Sequence, residues 1–259
     1  MTELDCTNVD TAVHSLSQIL KNLERPIVDL KTVLSKFTGG TSTEEEKRTY
    51  PFSSRLLLGT VGCLREQLPY ADSVVWFHAT RVPPCAEYQD GLLPTGSARQ
   101  KIFQFLRTIA STEGICAPED WAERKEKADR ATNTTGKIRP SPNTGHDAGP
   151  HGFLPREYIL KHARYYLDLP EEVREFCSRV GGDHGKQIAA AYKAQTRPAI
   201  VKFRSSTRVV CAVSAAIEYV HWKLIGDQLS LPDCPSCGWC GGGTVVPKSD
   251  ILGVEWIDM

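Results

Sequence analysis

Apolar residues recur in alternating steps of four and three over the first forty residues of the chain. They are Val9, Val13, Leu16, Leu20, Leu23, Ile27, Leu30, Leu34 and Phe37. This spacing predicts an amphipathic helical segment whose apolar side chains form a heptad seam. Pro26 interrupts the pattern and predicts a kink or a break into two helices. Asp10 and Thr11 can cap the start, and the glycines at 39 and 40 mark the end.

Two interpretations of this seam remain open. In the first, the apolar side chains pack against the rest of the same domain, as in an ordinary amphipathic helix. In the second, residues 9–37 form a stem that pairs with a second copy of the chain or binds a partner such as an antitoxin. Both interpretations predict buried apolar side chains, but only the second requires another chain to bury them.

After a polar linker at 38–52, the pattern changes to a mixture of short helices and strands. Residues 73–81 are rich in β-branched and aromatic residues and predict a strand, which Pro83 and Pro84 end. Helices are predicted at 53–69, 97–110, 158–167 and from Pro170 onward, and further strands at 152–154, 197–204, 244–247 and 250–257. Residues 208–224 fit either type, and 117–150 form a long polar loop. The pattern predicts an α+β fold with a helical segment at 1–50 and a second domain at 51–259.

Composition restricts the class of protein. The chain of 259 residues is 41% hydrophobic and 24% charged, which is ordinary for a soluble globular protein. Its 31 Lys and Arg balance its 31 Asp and Glu, so no global charge directs it to nucleic acid or to an anionic membrane. No apolar run reaches the length of a transmembrane helix, and the acidic start is unlike a secretory signal. Nine cysteines, an odd number, indicate free thiols in a reducing, cytoplasmic setting.

Three short blocks of sequence carry side chains suited to chemistry. The first is Phe-His-Ala-Thr-Arg at 77–81, followed by Gly91 and Leu92. The second is His-Gly-Phe at 151–153, which runs into Lys-His-Ala-Arg-Tyr-Tyr at 161–166. The third is Val-Glu-Trp-Ile at 254–257. The order and spacing of the three blocks are more specific than any block alone.

In this order the blocks resemble the ADP-ribosyltransferase superfamily, in particular its diphtheria-toxin-like and poly(ADP-ribose) polymerase branch. There a strand ends in His-Gly-Ser/Thr-Arg and a Gly-Leu pair follows. A Gly-x-x-Tyr strand then leads into a helix with Lys-x-Ala-x-Tyr, and a late strand carries the catalytic glutamate. Here Ala79 replaces the usual glycine, and Phe153 and Leu154 stand where a tyrosine is common. The resemblance covers residues 70–259 in patches and implies a split β-sheet ADP-ribosyltransferase-like catalytic domain that uses NAD as its substrate.

The resemblance also implies roles for individual residues. Glu255 would be the catalytic carboxylate beside the ribose, where it stabilises the oxocarbenium-like transition state of glycosidic cleavage. His78 would bond the adenosine-side ribose, and the backbone of residue 79 would hold the nicotinamide amide. Tyr165 would stack on the nicotinamide ring, and Arg81 would pair with the pyrophosphate. The implied NAD-binding set is His78, Ala79, Thr80, Arg81, Gly152 and Tyr165.

A second alignment of the C-terminal region places the decisive strand elsewhere. Residues 246–254 also resemble the Val-Pro-x-x-x-Ile tail of the RNA 2′-phosphotransferase and DNA-modifying branches. In those branches the decisive strand lies before the Val-Pro. The corresponding stretch here, 240–245, contains no carboxylate. Under this alignment Glu255 is not the catalytic residue.

Three cysteines in two Cys-x-x-Cys steps form a separate candidate site. They are Cys234, Cys237 and Cys240, and thiolates at this spacing can bind one tetrahedral zinc ion from a tight turn. A fourth ligand would come from Cys211, His221 or Cys177. The alternatives are free thiols in a glycine-rich loop and a redox-sensitive pair.

The leading functional hypothesis is transfer of ADP-ribose from NAD to a macromolecular acceptor, either a protein or a nucleic acid. Bacterial toxins and phage-defence effectors of this family act in that way. An RNA 2′-phosphotransferase would use the same fold and NAD, with Arg81, Arg156 and Arg204 as candidate phosphate ligands. A third hypothesis is a catalytically inactive module that binds ADP-ribose or a partner.

Overall fold

The computed structural model describes residues 1–21, 23, 29–37, 52–115, 120–124, 149–179, 181–209, 211–229 and 236–258. These residues form helices and a sheet, so the α+β class is confirmed. The helices are α1 (Val9–Leu20), α2 (Leu30–Lys36), α3 (Phe52–Thr60), α4 (Thr95–Thr112), α5 (Arg156–Lys161), α6 (Arg164–Asp168), α7 (Glu171–Arg179), α8 (Gly185–Gln195) and α9 (Ala212–Leu229). The strands are β1 (Glu3–Leu4), β2 (Ser73–Val82), β3 (His151–Leu154), β4 (Arg197–Ser205), β5 (Cys237–Cys240) and β6 (Ile251–Trp256).

The strands follow the order β5-β3-β2-β4-β6, and β1 pairs with β2 outside this path. β1 runs parallel to β2, whereas β3 runs antiparallel to it, with Phe77 opposite Phe153. β2 is an internal strand, and its residues from Ser73 to Phe77 are all buried. This explains why residues 73–77 form an almost continuous apolar run and do not alternate with polar residues.

Contacts divide the chain into two compact units, each assembled from three stretches. The first unit comprises Met1–Phe77, Gly152–His162 and Phe203–Trp239. The second comprises His78–His151, Ala163–Lys202 and Cys240–Met259. The division differs from the predicted boundary at residue 50, because the N-terminal helices belong to the same unit as α3 and α9. The predicted linker at 38–52 lies, except for Phe52, outside the described residues.

The heptad seam is buried inside the first unit. α1 and α2 both pack against α9, and the side chains of Leu16, Leu20, Leu30 and Leu34 are at most 3% exposed. This burial supports the first interpretation of the seam, an amphipathic segment packed within its own chain. The seam residue Ile27 and the interrupting Pro26 lie outside the described residues.

The N-cap of α1 lies two residues before Asp10, the first residue that the sequence pattern offered as a cap. Asn8 is the N-cap, and its side-chain oxygen accepts from the backbone N–H groups of Asp10 and Thr11 at 3.0 Å each. The Thr11 hydroxyl oxygen accepts from the Asn8 backbone N–H at 3.1 Å, which completes a capping box.

The ambiguous stretch at 208–224 is mostly helical. α9 is buried along most of its described length, including apolar residues on all sides from Ala212 to Val220. A helix buried all round has no polar face, so hydrophobic periodicity could not distinguish it from a buried strand. His221 on this helix is fully buried, and its Nδ1 lies 2.8 Å from the backbone oxygen of Leu34.

The second unit has its own core, in which α4, α7 and α8 pack against one another. Its buried side chains include Phe103, Leu106, Ile109, Val173, Phe176, Ile188 and Tyr192. The rings of Phe103 and Phe176 lie 4.9 Å apart. The apolar positions on α4 recur at three- and four-residue steps, as the prediction of a helix at 97–110 requires.

Candidate functional site

His78 lies on β2 and is half-buried. Its Nδ1 is 2.7 Å from the backbone oxygen of His151. A carbonyl oxygen only accepts hydrogen bonds, so Nδ1 is the protonated nitrogen and the neutral ring keeps Nε2 as an acceptor. Burial lowers the pKa of His78 and the neighbouring His151 lowers it further, whereas the bond to the carbonyl raises it. The net lowering favours the neutral imidazole near pH 7.

Neighbouring residues of the first block point to different faces of the sheet. Side chains alternate along a strand, so His78 and Thr80 lie on one face of β2, and Ala79 and Arg81 lie on the other. Ala79 is buried at 8% exposure. The four side chains therefore cannot all face one ligand, and a dinucleotide at His78 would meet residue 79 only through its backbone.

The guanidinium of Arg81 donates hydrogen bonds to oxygen atoms of the protein itself. Its Nη2 donates to the backbone oxygens of Lys193 and Thr196 at 2.9 and 2.8 Å. Its Nε donates to the Thr196 hydroxyl at 3.1 Å, and its Nη1 to the Leu167 oxygen at 3.3 Å. Four donor bonds leave this guanidinium little capacity for a ligand. These contacts give no support to the expected pairing of Arg81 with a pyrophosphate.

Two further motifs of the sequence come together after β2. Leu92 and Val246 form an antiparallel bridge with two backbone hydrogen bonds of 2.9 and 3.0 Å. Gly91 has a φ of +74°, and a Cβ there would lie 2.0 Å from the Val246 oxygen. Glycine is required at this point both by its backbone conformation and by the close approach of the chain. The Gly-Leu pair and the Val-Pro segment therefore belong to one local structure.

Tyr88 is a residue that the sequence patterns did not single out. It has a φ of +49°, which is uncommon for a residue with a side chain. Its hydroxyl is buried without a hydrogen-bond partner among the described residues, and burial raises its pKa. Its backbone oxygen accepts from the Gly91 N–H at 2.9 Å. This turn geometry is not visible in a single sequence, because a tyrosine carries no signal for a positive φ.

Gly152 has a packing role in the first unit. A Cβ at this position would lie 2.8 Å from the Trp76 Cβ and 2.9 Å from the ring of Phe203. The strand β3 can lie this close to those side chains only without a side chain of its own. This contact accounts for the glycine without any cofactor, so its expected place in the NAD-binding set receives no support from its surroundings.

Tyr165 lies on α6 with its ring 49% exposed. The Tyr166 ring lies 4.2 Å away at an angle of 37°, and the Arg174 guanidinium lies 5.5 Å from the Tyr165 centroid. An exposed aromatic ring supported in this way can stack on a planar ligand. The exposure of this ring suits stacking in general, and the role of Tyr165 beside a nicotinamide stays a prediction.

Glu255 is an exposed residue on β6. β4 separates β6 from β2, so the two strands are about 10 Å apart at the usual strand spacing. The end of β6 lies beside the start of β4, because the Ile257 N–H donates to the Pro198 oxygen at 3.0 Å. Arg81 bonds to Thr196 at that same start of β4. Glu255 is therefore at the same end of the sheet as Arg81 but not beside the strand of His78.

The strand at the edge of the sheet beside β3 carries no carboxylate. That strand is β5, with the sequence Cys-Gly-Trp-Cys at 237–240. The sequence patterns had not predicted it, because four residues with one glycine and two cysteines give almost no strand signal. Residues 240–245, which the second alignment takes as the decisive strand, lie beyond the end of β5 except for Cys240.

The cysteines are arranged differently from a zinc knuckle. Cys237 forms a disulfide with Cys211, which corrects the expectation of free thiols for these two residues. Cys237 and Cys240 are three residues apart on a strand and so point to opposite faces. Cys234 lies outside the described residues, and within the described part of the chain no three metal-ligating side chains form a cluster. Neither the disulfide nor the strand geometry suits the predicted zinc site.

Comparison of the chain with protein-family models, with curated proteins and with solved structures gives no match. Among the described residues, no helix combines the length and the apolar character needed to cross a membrane.

Proposed function

We propose that this chain binds NAD at the His78 end of β2 and transfers its ADP-ribose group to a macromolecular acceptor. One observation carries the proposal. The His151 carbonyl holds the half-buried imidazole of His78 in the tautomer whose Nε2 accepts a hydrogen bond. A ribose hydroxyl is a suitable donor to this nitrogen.

Other residues of the second unit supply supporting features. The glycines at 91 and 149 both have a positive φ, and a Cβ at either would collide with its neighbours. Such close backbone approaches are typical of loops that line ligand sites. The exposed ring of Tyr165 offers a surface on which a nicotinamide can stack.

The first experiment measures nicotinamide release from NAD by the purified full chain. We expect release by the wild type and a loss of about ten-fold in His78→Ala, equivalent to ~1.4 kcal/mol of transition-state stabilisation. His14→Ala, which removes an exposed histidine of α1 outside the implied NAD-binding set, is the matched control. Equal rates in wild type and His78→Ala would contradict the proposal. Labelled NAD with cell extract then identifies the acceptor as protein, RNA or DNA.

A second candidate function is a module that binds NAD or ADP-ribose without cleaving it. The position of Glu255, on a strand separated from β2 by β4, favours this candidate. Residues 237–245 offer no substitute carboxylate. NAD binding by calorimetry without nicotinamide release would select this candidate. Release that is unchanged in Glu255→Gln would remove the catalytic role of this residue while leaving the enzyme hypothesis intact.

The RNA 2′-phosphotransferase receives less support from the described contacts. Arg81 is committed to carbonyl and hydroxyl oxygens. Arg204 is paired with Glu3. Two of its three candidate phosphate ligands are thus already engaged within the chain.

A further inference from the structure

α6 is a short helix that depends on other elements for its position. It has five residues, and a helix of this length is not stable by itself in water. Nevertheless it carries Tyr165, the ring expected to stack on nicotinamide. Whatever holds α6 also sets the position of this ring.

Three cationic side chains converge on the C-terminal end of α6. Arg81 donates to the Leu167 oxygen at 3.3 Å, and Arg174 donates to the oxygens of Tyr165 and Leu169 at 3.1 and 3.0 Å. Lys193 pairs with both carboxylate oxygens of Asp168 at 2.6 and 2.8 Å. Cations are favourable at this end of a helix because its carbonyl groups lack partners within the helix.

Arg81 differs from the other two cations because it lies on β2 and donates to α8 as well as to α6. Its guanidinium donates to the oxygens of Lys193 and Thr196 at the end of α8. In return, the Tyr192 hydroxyl donates to the backbone oxygen of Arg81 at 2.7 Å. Side chain and backbone of one residue thus connect the end of β2 to α8 and α6. The planar guanidinium fixes the angles of these bonds, which a lysine cannot do.

We propose that Arg81 is a positioning residue that sets the place of the Tyr165 ring relative to the strand of His78, without contacting the dinucleotide phosphates. This inference rests on the proposed function, in which His78 binds a ribose and Tyr165 stacks on the nicotinamide. It has a specific consequence. Loss of Arg81 weakens the binding of ligands that contain nicotinamide and spares ADP-ribose, which contains the same pyrophosphate but no nicotinamide.

The experiment compares the dissociation constants of NAD and ADP-ribose by calorimetry in Arg81→Lys, Tyr165→Ala and the double variant. We expect Arg81→Lys to weaken NAD binding about five-fold, within the range of one aromatic stacking interaction. ADP-ribose binding should change less than two-fold. In the Tyr165→Ala background the Arg81 substitution should add nothing, because both changes remove one contact. Arg107→Lys on the exposed face of α4 is the matched control.

Other outcomes overturn the inference. Equal losses for NAD and ADP-ribose, or additive losses in the double variant, would assign Arg81 to the phosphates. Unchanged NAD binding in a folded Arg81→Lys would leave it a purely structural residue. If that variant does not fold, Lys193→Gln removes the bond to Asp168 and should give a smaller, still nicotinamide-selective loss, whose absence overturns the inference. A wild type that binds neither ligand rejects the proposed function itself, whereas a wild type that binds NAD with non-selective losses rejects only this inference.

Discussion

His221 in the first unit and His78 in the second make the same hydrogen bond in different surroundings. Each imidazole contacts a backbone oxygen through Nδ1, at 2.8 Å for His221 and 2.7 Å for His78. In both, burial is the main cause that lowers the pKa. His221 is fully enclosed between helices and next to the ring of Phe37. His78 is only half-buried.

The comparison shows why a histidine at a strand end is not by itself a functional signal. A buried imidazole that satisfies a carbonyl is a structural residue, as His221 is. What distinguishes His78 is its partial exposure. The two units also differ. Apolar packing around α9 stabilises the first unit. The second unit has an apolar core of its own, and bonds from polar side chains to backbone carbonyls also connect its elements β2, α6 and α8.

The largest expected effect tests whether packing dominates the first unit. Leu16→Ala should lower the free energy of unfolding by about 3 kcal/mol, because it removes a fully buried side chain and leaves a cavity. The measurement is chemical denaturation followed by circular dichroism. His14→Ala, an exposed change on the same helix, should cost less than about 0.5 kcal/mol. A small effect of Leu16→Ala would restore the stem interpretation of the heptad seam.

The next prediction compares two glycines with a positive φ, of which only Gly91 also lies against another segment of the chain. Gly91→Ala should lower the free energy of unfolding by about 2 kcal/mol, because its Cβ would collide with the Val246 oxygen in addition to the unfavourable φ. Gly62→Ala is the matched control, since it has a φ of +73° with nothing within 4 Å of the added Cβ. It should cost about 1 kcal/mol. Equal losses of stability in the two variants would mean that the Leu92–Val246 bridge shifts to make room for the added Cβ.

The two histidines themselves give the sharpest test of the comparison. His221→Leu should cost about 2 kcal/mol of stability, because the buried Leu34 oxygen loses its donor. It should leave the affinity for NAD unchanged. His78→Leu should cost less than about 1 kcal/mol, since water can reach the half-buried site, and should weaken NAD binding about ten-fold. Denaturation and calorimetry on both variants check this, and the reverse pattern would contradict the assignment of His78.

The smallest effect is the dependence of stability on pH. The pKa of His221 and that of His78 are lowered in the folded chain from the ordinary 6.5. The unfolded chain therefore binds protons first as the pH falls. Stability is fully present above pH 6.5 and decreases as the pH falls towards the lowered values. Denaturation at pH 7.5 and 5.5 should show the decrease, and His221→Leu should reduce it. If the free energy of unfolding depends on pH equally in His221→Leu and in the wild type, protonation of His221 does not contribute to that dependence.

Residue type and regular periodicity made several elements predictable. The strand predicted at 73–81 corresponds to β2, because β-branched and aromatic residues favour a strand. The helices predicted at 97–110 and 158–167 correspond to α4 and to the pair α5 and α6, because their apolar residues recur at helical spacing. The pattern did not predict β5, because this strand has only four residues. It left α9 open between helix and strand, because this helix is apolar on all sides. The N-cap at Asn8 differs from the prediction by two residues because capping depends on the local turn.

The sequence singled out candidate residues but could not give their contacts. His78, Gly91 and Tyr165 stand out by type and order, and the chain does place His78, Gly91 and Tyr165 in the second unit. The commitment of Arg81 to carbonyl oxygens could not be read from the sequence, because its acceptors are main-chain atoms 86 to 115 residues away. Backbone acceptors carry no residue-specific signal.

The sequence by itself determined where apolar faces, turns and reactive side chains lie along the chain, because these depend on residue type and local period. Only the tertiary structure decided that Cys211 meets Cys237, that Arg81 holds α6 and α8, and that β4 separates Glu255 from β2. Each of these depends on the order of strands and on contacts between distant residues. A local pattern of side chains does not specify that order, since the same short strand can pair with several neighbours.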